Sequence, residues 1–403
     1  MLLDFARGSR RTAGLCGMRK PVRIETPDVL VVGLGPAGSR AAEAAALAGL
    51  RVVALEKRGE AGSPVQCAEF VPSMIERDVP AVGDVTEQMI ARMLTFVEDD
   101  ERASETPEFR GRMLDRGKFD KLLASNAAKA GADCRYGVAV LKIDADGTVR
   151  TSDGLGFKPR VLIGADGPRS RVGAAIGAVN RDLVETRQVT VPLVLPHDAT
   201  DIFLSADYRG GYGWLFPKGA VANVGVGISV DGALADDKST RRGLKALLLR
   251  LLTRLAMERR IGTNGWALTG GAIPVGGRLK SIGKLGGTAV FLAGDAAGLT
   301  NPVTGAGIAS AVQSGTMAGR AAADYVGGRK AALDDYEEEL GDIFDAALGR
   351  ALRRRRELLA CYVDGGHPDA CALTDGWIGS PRYWRREPAL RAERETKVEE
   401  RTP

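Results

Sequence analysis

One succession constrains this 403-residue chain more than any other: a buried-type strand, a glycine turn, a helix and a second strand, starting at Asp28. Asp28-Val29-Leu30-Val31-Val32 is a continuous apolar run, the pattern of a parallel strand covered on both faces. It leads into Gly33-Leu34-Gly35-Pro36-Ala37-Gly38 and then into Ala- and Leu-rich residues 39–48, good helix formers closed by Gly49. Arg51-Val52-Val53-Ala54-Leu55 reads as the second strand, ending at Glu56 and Lys57. Such a unit holds a dinucleotide. Gly33 permits the tight turn, Gly35 lets backbone approach a pyrophosphate, and Gly38 lets the helix pack close to the sheet. Pro36 and Ala37 open the helix, whose free N–H groups and partial positive charge suit that pyrophosphate. Glu56 stands where a carboxylate meets ribose hydroxyls, with Lys57 beside it as a further cofactor contact.

Composition removes several function classes. Lys and Arg total 56 against 51 Asp and Glu, a net charge of +5 that is too diffuse for a nucleic-acid binder. The only histidines, His197 and His367, leave no His-based triad and no multi-His metal site. Five cysteines, an odd number, fit a reducing, cytoplasmic setting, and Cys361, His367 and Cys371 lack the paired spacing of a zinc site. No run reaches the ~18–20 apolar residues of a membrane span. The basic stretch at the start carries Arg10-Arg11, but the apolar stretch after it is too short for a signal-peptide core. Residues 1–24 therefore read as a disordered leader, with Met18 as an alternative start.

The remaining pattern is α/β, with α+β character taken as a whole. Helices are expected near 117–130, 239–260, 305–325 and 332–361, and strands over 134–143 (carrying Val140), 160–164 and 288–293. Residues 186–230 alternate apolar and polar in short runs punctuated by glycine, as an antiparallel sheet does. This gives a discontinuous Rossmann-like nucleotide domain with a parallel sheet over 25–90, 106–178 and 282–330. A substrate domain over 179–281, C-terminal helices over 331–384 and a mobile charged tail over 385–403 complete the division.

Three further motifs come after the first. Val161-Leu162-Ile163-Gly164-Ala165-Asp166-Gly167-Pro168 and Phe291-Leu292-Ala293-Gly294-Asp295 are apolar strands that each deliver an aspartate, where open α/β sheets bind ligands. Asn301-Pro302-Val303-Thr304-Gly305-Ala306-Gly307-Ile308 is a turn opening a helix, which can set N–H groups against a ring that becomes anionic on reduction. In this order and spacing the motifs resemble the FAD-dependent family built on the para-hydroxybenzoate hydroxylase fold. The resemblance implies that Asp295 binds the ribityl chain and that Gly305, Ala306, Gly307 and Ile308 sit at the isoalloxazine. It also implies that Arg116, Val140, Asp166 and Gly167 belong to the FAD site.

Two segments narrow the branch. Gly62-Ser63-Pro64-Val65-Gln66-Cys67-Ala68-Glu69 and Tyr212-Gly213-Trp214-Leu215-Phe216-Pro217 resemble the Pro-Val-x-Cys and Tyr-x-Trp-x-Phe-Pro segments of geranylgeranyl reductases, including the digeranylgeranylglycerophospholipid reductases. That resemblance implies an FAD-dependent oxidoreductase of lipid metabolism that saturates C=C bonds of an isoprenoid lipid or isoprenyl diphosphate. It puts Cys67 and Ala68 beside the flavin and Tyr212, Trp214 and Phe216 along the isoprenoid cavity. The chain departs from the family at Ala68 and Phe70, where glycine is usual, which narrows the flavin pocket.

The residues themselves are consistent with this. Tyr212, Trp214 and Phe216 share one face of a strand, either lining an apolar tunnel or packing in a core. C=C saturation needs a hydride from reduced flavin and a proton. Cys67 is the candidate catalytic donor, with Tyr212 or water as alternatives and simple packing as the other reading of the thiol. No second glycine fingerprint appears after residue 60, so the electron donor is NAD(P)H bound transiently or reduced ferredoxin, a redox partner protein. A flavin monooxygenase of the same fold and an electron carrier to quinone are the rival readings. The 239–260 helix sets a leucine face against many arginines, and Arg353-Arg354-Arg355-Arg356 is a second basic cluster. Both fit peripheral contact with the inner membrane face, or leucines packed on the sheet and arginines in water.

Overall fold

The computed structural model describes residues 23–100, 102–106, 109–230 and 238–385. The expectations for residues 1–22 and 386–403 lie outside them. Ile24–Glu25 pairs in parallel with Gly156–Phe157, so the folded chain takes in the last residue of the expected leader.

Val29–Val32 is fully buried at the centre of a six-stranded sheet. Across this sheet the order is Ile282–Leu285, Thr288–Leu292, Val161–Gly164, Val29–Val32, Val52–Glu56, Asp133–Tyr136, all parallel except the first. Helices and a four-stranded sheet carrying Val149 and Phe157 pack against it in one apolar cluster, which is why its strands are continuous Val/Leu/Ile runs instead of alternating ones. Helix α1 (Pro36–Leu47) starts on proline, whose missing N–H costs nothing there, and Gly49 at φ +82° follows its end. Helix α2 (Arg116–Lys129) is capped by Asp115, whose side chain accepts the Lys118 N–H, and α3 (Arg171–Ala175) by Ser170.

The second sheet runs Trp266–Thr269, Leu183–Pro192, Val221–Val230, Gly213–Lys218, Ala199–Leu204, Arg92–Val97, Ser104–Thr106. Alternation divides its faces. Val189, Val191, Leu215, Val224 and Val226 meet Leu244, Leu248, Leu251 and Leu255 of helix α4 (Lys238–Met257) in one apolar cluster. Trp214 and Phe216, one residue out of phase with Leu215, face the opposite way into a separate cluster with Met93, Ile202 and Trp377. The leucine face of α4 is thus core, which removes it as a membrane-binding face.

Helix α5 (Ile308–Val326) packs on α1 through small residues. A Cβ at Gly315 would collide with the Ala37 carbonyl, and one at Gly319 with the Ala41 carbonyl. The close approach sets the starts of α1 and α5 side by side. Helix α6 (Ala332–Ala360) buries Leu333, Tyr336, Leu340, Phe344 and Leu348. Tyr336 donates its hydroxyl to the Leu292 carbonyl at 2.7 Å. Ile343, part of the same sequence stripe, is 48% exposed because its phase falls outside the buried face. The architecture is the expected α/β class, a mostly parallel nucleotide-type sheet joined to a mostly antiparallel one, in which Arg92–Val97 runs parallel to Ala199–Leu204, with helices C-terminal to both.

Candidate active site

A cavity of about 610 Å³ lies where the carboxyl ends of the parallel strands meet the Trp214 face of the second sheet. Its nucleotide side is set by backbone. Gly33 sits at φ +97°, and a Cβ there would collide with the Ala165 carbonyl. One at Gly38 would collide with the Gly33 carbonyl, whereas one at Gly35 would meet nothing within 4 Å. The turn is closed on two glycines and open at the third, which fits backbone approach to a pyrophosphate. Gly35, Pro36 and Ala37 border the cavity, where the first-turn N–H groups of α1 have no intrahelical acceptor. Gly38→Ala is expected to cost about 1–3 kcal/mol through backbone overpacking. A thermal melt of the full chain measures it.

Glu56 ends its strand with one carboxylate oxygen on the Leu34 N–H and the other on the Arg58 N–H, each at 3.0 Å. It braces the glycine turn from the second strand. Lys57, like Glu56, Gly33 and Gly38, stands outside the cavity lining, and Val140 is buried on Val140–Ile143, the edge strand of the four-stranded sheet. The carboxylate of Asp166 caps the start of α3, accepting from Ser170 Oγ and from the N–H groups of Arg171 and Val172. Gly167, next to it at φ +86°, does border the cavity. Of that pair, the glycine faces the ligand space and the aspartate shapes the turn.

Asp295, delivered by Thr288–Leu292 and the short turn after it, reaches the cavity with its carboxylate on Thr300 Oγ1 at 2.8 Å. Burial raises its pKa, opposed by Thr300 and by the charge of Arg116. Gly305, Ala306, Gly307 and Ile308 border the same space at the start of α5. Arg116 faces it from the start of α2, paired with Asp120 through two hydrogen bonds of 2.9 and 3.0 Å. Burial opposes the Arg116 charge, but Asp120 and Cys67 outweigh it and raise its pKa.

The Cys67 segment crosses between the two sheets. Cys67 Sγ accepts the Glu69 N–H at 3.2 Å, and the Cys67 carbonyl accepts Gln188 Nε2 at 3.0 Å. Gln188 in turn accepts from Trp214 Nε1 at 3.0 Å, so cysteine loop and aromatic strand are joined through one amide. Glu69 is 5% exposed and sits at φ +73°. Its carboxylate takes Lys218 Nζ at 3.0 Å, Asn223 Nδ2 at 2.8 Å and the Arg116 N–H at 3.0 Å. Tyr212, Trp214 and Phe216 all border the cavity, with Tyr212 donating its hydroxyl to the Thr304 carbonyl at 2.6 Å. Burial, then the nearby Cys67, push the Tyr212 pKa up. Ala68 and Phe70 also face the cavity, Phe70 stacked on Phe109 at 5.4 Å and tilted on Phe216 at 6.0 Å.

Sequence patterns assigned no role to Glu69, Gln188 or Trp377, and placed Arg355 only within a basic cluster. Glu69 stands at the end of the Cys67 segment, two residues past the thiol. Gln188 stands 121 residues from its partner and leaves no local signal. The Arg353–Arg356 cluster is corrected: Arg354 and Arg355 are 8% and 7% exposed, so the run is not a basic surface patch.

An FAD-binding-domain family model matches residues 28–79, the strand, turn, helix and strand that open the fold. A digeranylgeranylglycerophospholipid reductase of Methanothrix thermoacetophila is 33% identical over 83% of this chain and 87% of its own length. Another, from Methanocaldococcus jannaschii, is 31% identical over 77% of this chain and 79% of its own. The crystal structure of a geranylgeranyl bacteriochlorophyll reductase-like protein from Thermoplasma acidophilum superposes with a TM-score of 0.73 at 29% identity, covering 83% of this chain and 88% of that one. An FAD site at the open glycine turn fits these matches, and the chain belongs to the digeranylgeranylglycerophospholipid reductase family of FAD-dependent oxidoreductases.

Proposed function

We propose that the protein saturates C=C bonds of a geranylgeranyl-type chain, carried by a lipid or as an isoprenyl diphosphate. The observation that carries the reading is one cavity bordered both by the cofactor-side groups Gly35, Asp295 and Gly305 and by an aromatic wall of Phe70, Trp214, Phe216 and Trp377. A long chain without polar groups needs such a wall. The names of the reductase relatives support the same substrate class.

The residues proposed to hold FAD are Gly35, Pro36 and Ala37 at the pyrophosphate, Asp295 at the ribityl chain, and Gly305, Ala306, Gly307 and Ile308 at the ring. Gly33, Gly38, Glu56, Lys57, Asp166 and Val140 support that site from behind the cavity wall, while Ala68, Gly167 and Arg116 border it. The chemistry the cofactor supplies when bound is hydride donation to one carbon of the double bond. The other carbon takes a proton, so each bond gains two hydrogens. We assign that proton to Cys67, whose side chain borders the cavity together with Arg116 and Tyr212. Tyr212 keeps its proton, because burial disfavours the phenolate and the hydroxyl is committed to the Thr304 carbonyl. Its part is to fix the aromatic wall against the 301–307 turn.

The proposed electron source is NAD(P)H or reduced ferredoxin, and anaerobic stopped-flow reduction with each in turn separates them. Peripheral contact with an anionic bilayer is proposed through exposed Val194, Leu195, Met257, Trp266 and Leu268, next to exposed Arg259. Backbone pairing of Val194 with Arg260, and of Trp266 with Thr190, links these segments along one sheet edge. Sedimentation with anionic liposomes should carry the protein down, and Trp266→Ser with Leu268→Ser should leave it in the supernatant.

The deciding experiment is anaerobic. The chemically reduced holoprotein is given geranylgeranyl diphosphate and a geranylgeranylated glycerolipid separately, and product masses are followed. A gain of two hydrogens per double bond supports the reading. Oxygen incorporation in air, or rapid reoxidation by quinone with no mass change, overturns it in favour of a monooxygenase or an electron carrier.

A further inference from the structure

The Arg353–Arg356 run, uniform along the chain, is divided by the fold. Arg354 turns toward the C-terminal segment, donating to the carbonyls of Arg382, Tyr383 and Arg385 and pairing with Glu357 at 2.8 Å. Arg355 turns toward the cavity. Its Nη1 donates to the carbonyls of Gly210 and Pro302, and its Nη2 to the Ser229 hydroxyl. All three acceptors are neutral. Among the described residues no carboxylate lies within ion-pair distance of Arg355, and Asp182 acts on it only from farther away. Among the described residues its Nε–H and one Nη2–H find no acceptor.

A buried full charge among neutral groups is costly, and such charges are ordinarily paired. Burial lowers the Arg355 pKa to about 10, which still leaves the guanidinium charged at neutral pH. Arg350, also bordering the cavity from α6, lies over the Trp384 ring at 5.2 Å and has no carboxylate partner among the described residues. Arg116, the third arginine on the cavity, is neutralised by Asp120. Trp377 Nε1, buried on the same cavity, is a further donor with no acceptor among the described residues. The cavity therefore has a charge-balanced arginine on the α2 side and two unbalanced ones on the α6 side.

We propose that Arg355 and Arg350 form an anion subsite that takes the phosphate or diphosphate at the head of the substrate, with its apolar chain laid along Trp214 and Phe216. A planar guanidinium with two free N–H groups suits phosphate oxygens, and a second, partly exposed arginine supplies charge at the same wall. The assignment rests on the isoprenoid reading for the identity of the chain, but not for the anion. A lipid phosphate and an isoprenyl diphosphate share the required chemistry.

The test uses the FAD-loaded full chain. Inorganic diphosphate and inorganic phosphate are titrated separately against tryptophan fluorescence in the wild type, in Arg350→Gln and in Arg355→Lys. Diphosphate or phosphate is expected to bind the wild type, and Arg350→Gln to weaken that binding about tenfold, the usual scale for one charge-assisted contact. Absence of binding to the wild type, or equal affinity in Arg350→Gln, overturns the subsite. Arg355 also ties three segments together, so Arg350→Gln keeps the test decisive if Arg355→Lys fails to fold.

A second arm compares kcat/KM for geranylgeranyl diphosphate with that for geranylgeraniol, and for a geranylgeranylated glycerol phosphate with its dephosphorylated form. The charged-to-uncharged ratio should fall about tenfold in Arg350→Gln, most for the pair that carries the natural head group. A structural role alone lowers both members together and leaves the ratio unchanged. If the wild type reduces neither member of a pair, the reductase reading fails, while the fluorescence titration still decides the anion subsite.

Discussion

Cys67→Ala is expected to lower C=C reduction by about 10²–10⁴-fold, the range for loss of a positioned proton donor, with FAD retained at full stoichiometry. The thiol borders the cavity with Arg116 and Tyr212, and its loop is tied to the second sheet through the Cys67 carbonyl on the Gln188 amide, the sulfur accepting only the local Glu69 N–H. Removing sulfur should therefore leave the loop in place. Single-turnover reduction of the chain under anaerobic conditions measures the effect, with the flavin spectrum as the control for the site. A loss below threefold in that step would return the cysteine to a packing role and leave the proton to water. Cys67→Ser, which keeps a hydroxyl proton, should fall between alanine and wild type.

Glu69→Ala should be the most destabilising single change at the site. The carboxylate is buried and holds three elements at once: Lys218 at the end of the aromatic strand, Asn223 on its neighbour, and the N–H of Arg116 at the start of α2. Removing it leaves the Lys218 ammonium half-buried and the Asn223 amide without its closest acceptor. Breaking a buried pair costs about 3–5 kcal/mol; Lys218 retains some water, so the lower end, about 3 kcal/mol, is expected. A thermal melt should fall by roughly 3–5 °C. Glu69→Gln keeps the shape and one acceptor but not the charge, and should lose less. If both variants melt with the wild type, the buried carboxylate is not what joins the two sheets.

The nucleotide half of the molecule was legible in the chain because its determinants are local. A strand buried on both faces reads as Val29–Val32, and a closed turn with its helix packed close reads as Gly33 and Gly38. The period of two at Tyr212, Trp214 and Phe216 likewise revealed a shared face, and the leucines of α4 revealed theirs. Each of these signals lies within one element or one turn.

Only the tertiary structure decided which face met what. Periodicity allowed the α4 leucines either a sheet or a membrane, and the chain's return through Val189 and Val224 chose the sheet. Four consecutive arginines looked alike until a helix with two different neighbours sent Arg354 to the C-terminal carbonyls and Arg355 to the cavity. Asp166 and Asp295 ended similar strands, yet one caps a helix while the other enters the ligand space. The Gln188 and Glu69 bridges join residues far apart in sequence. Local patterns encode local geometry, whereas the partner of a buried charge or amide is set by where distant segments pack.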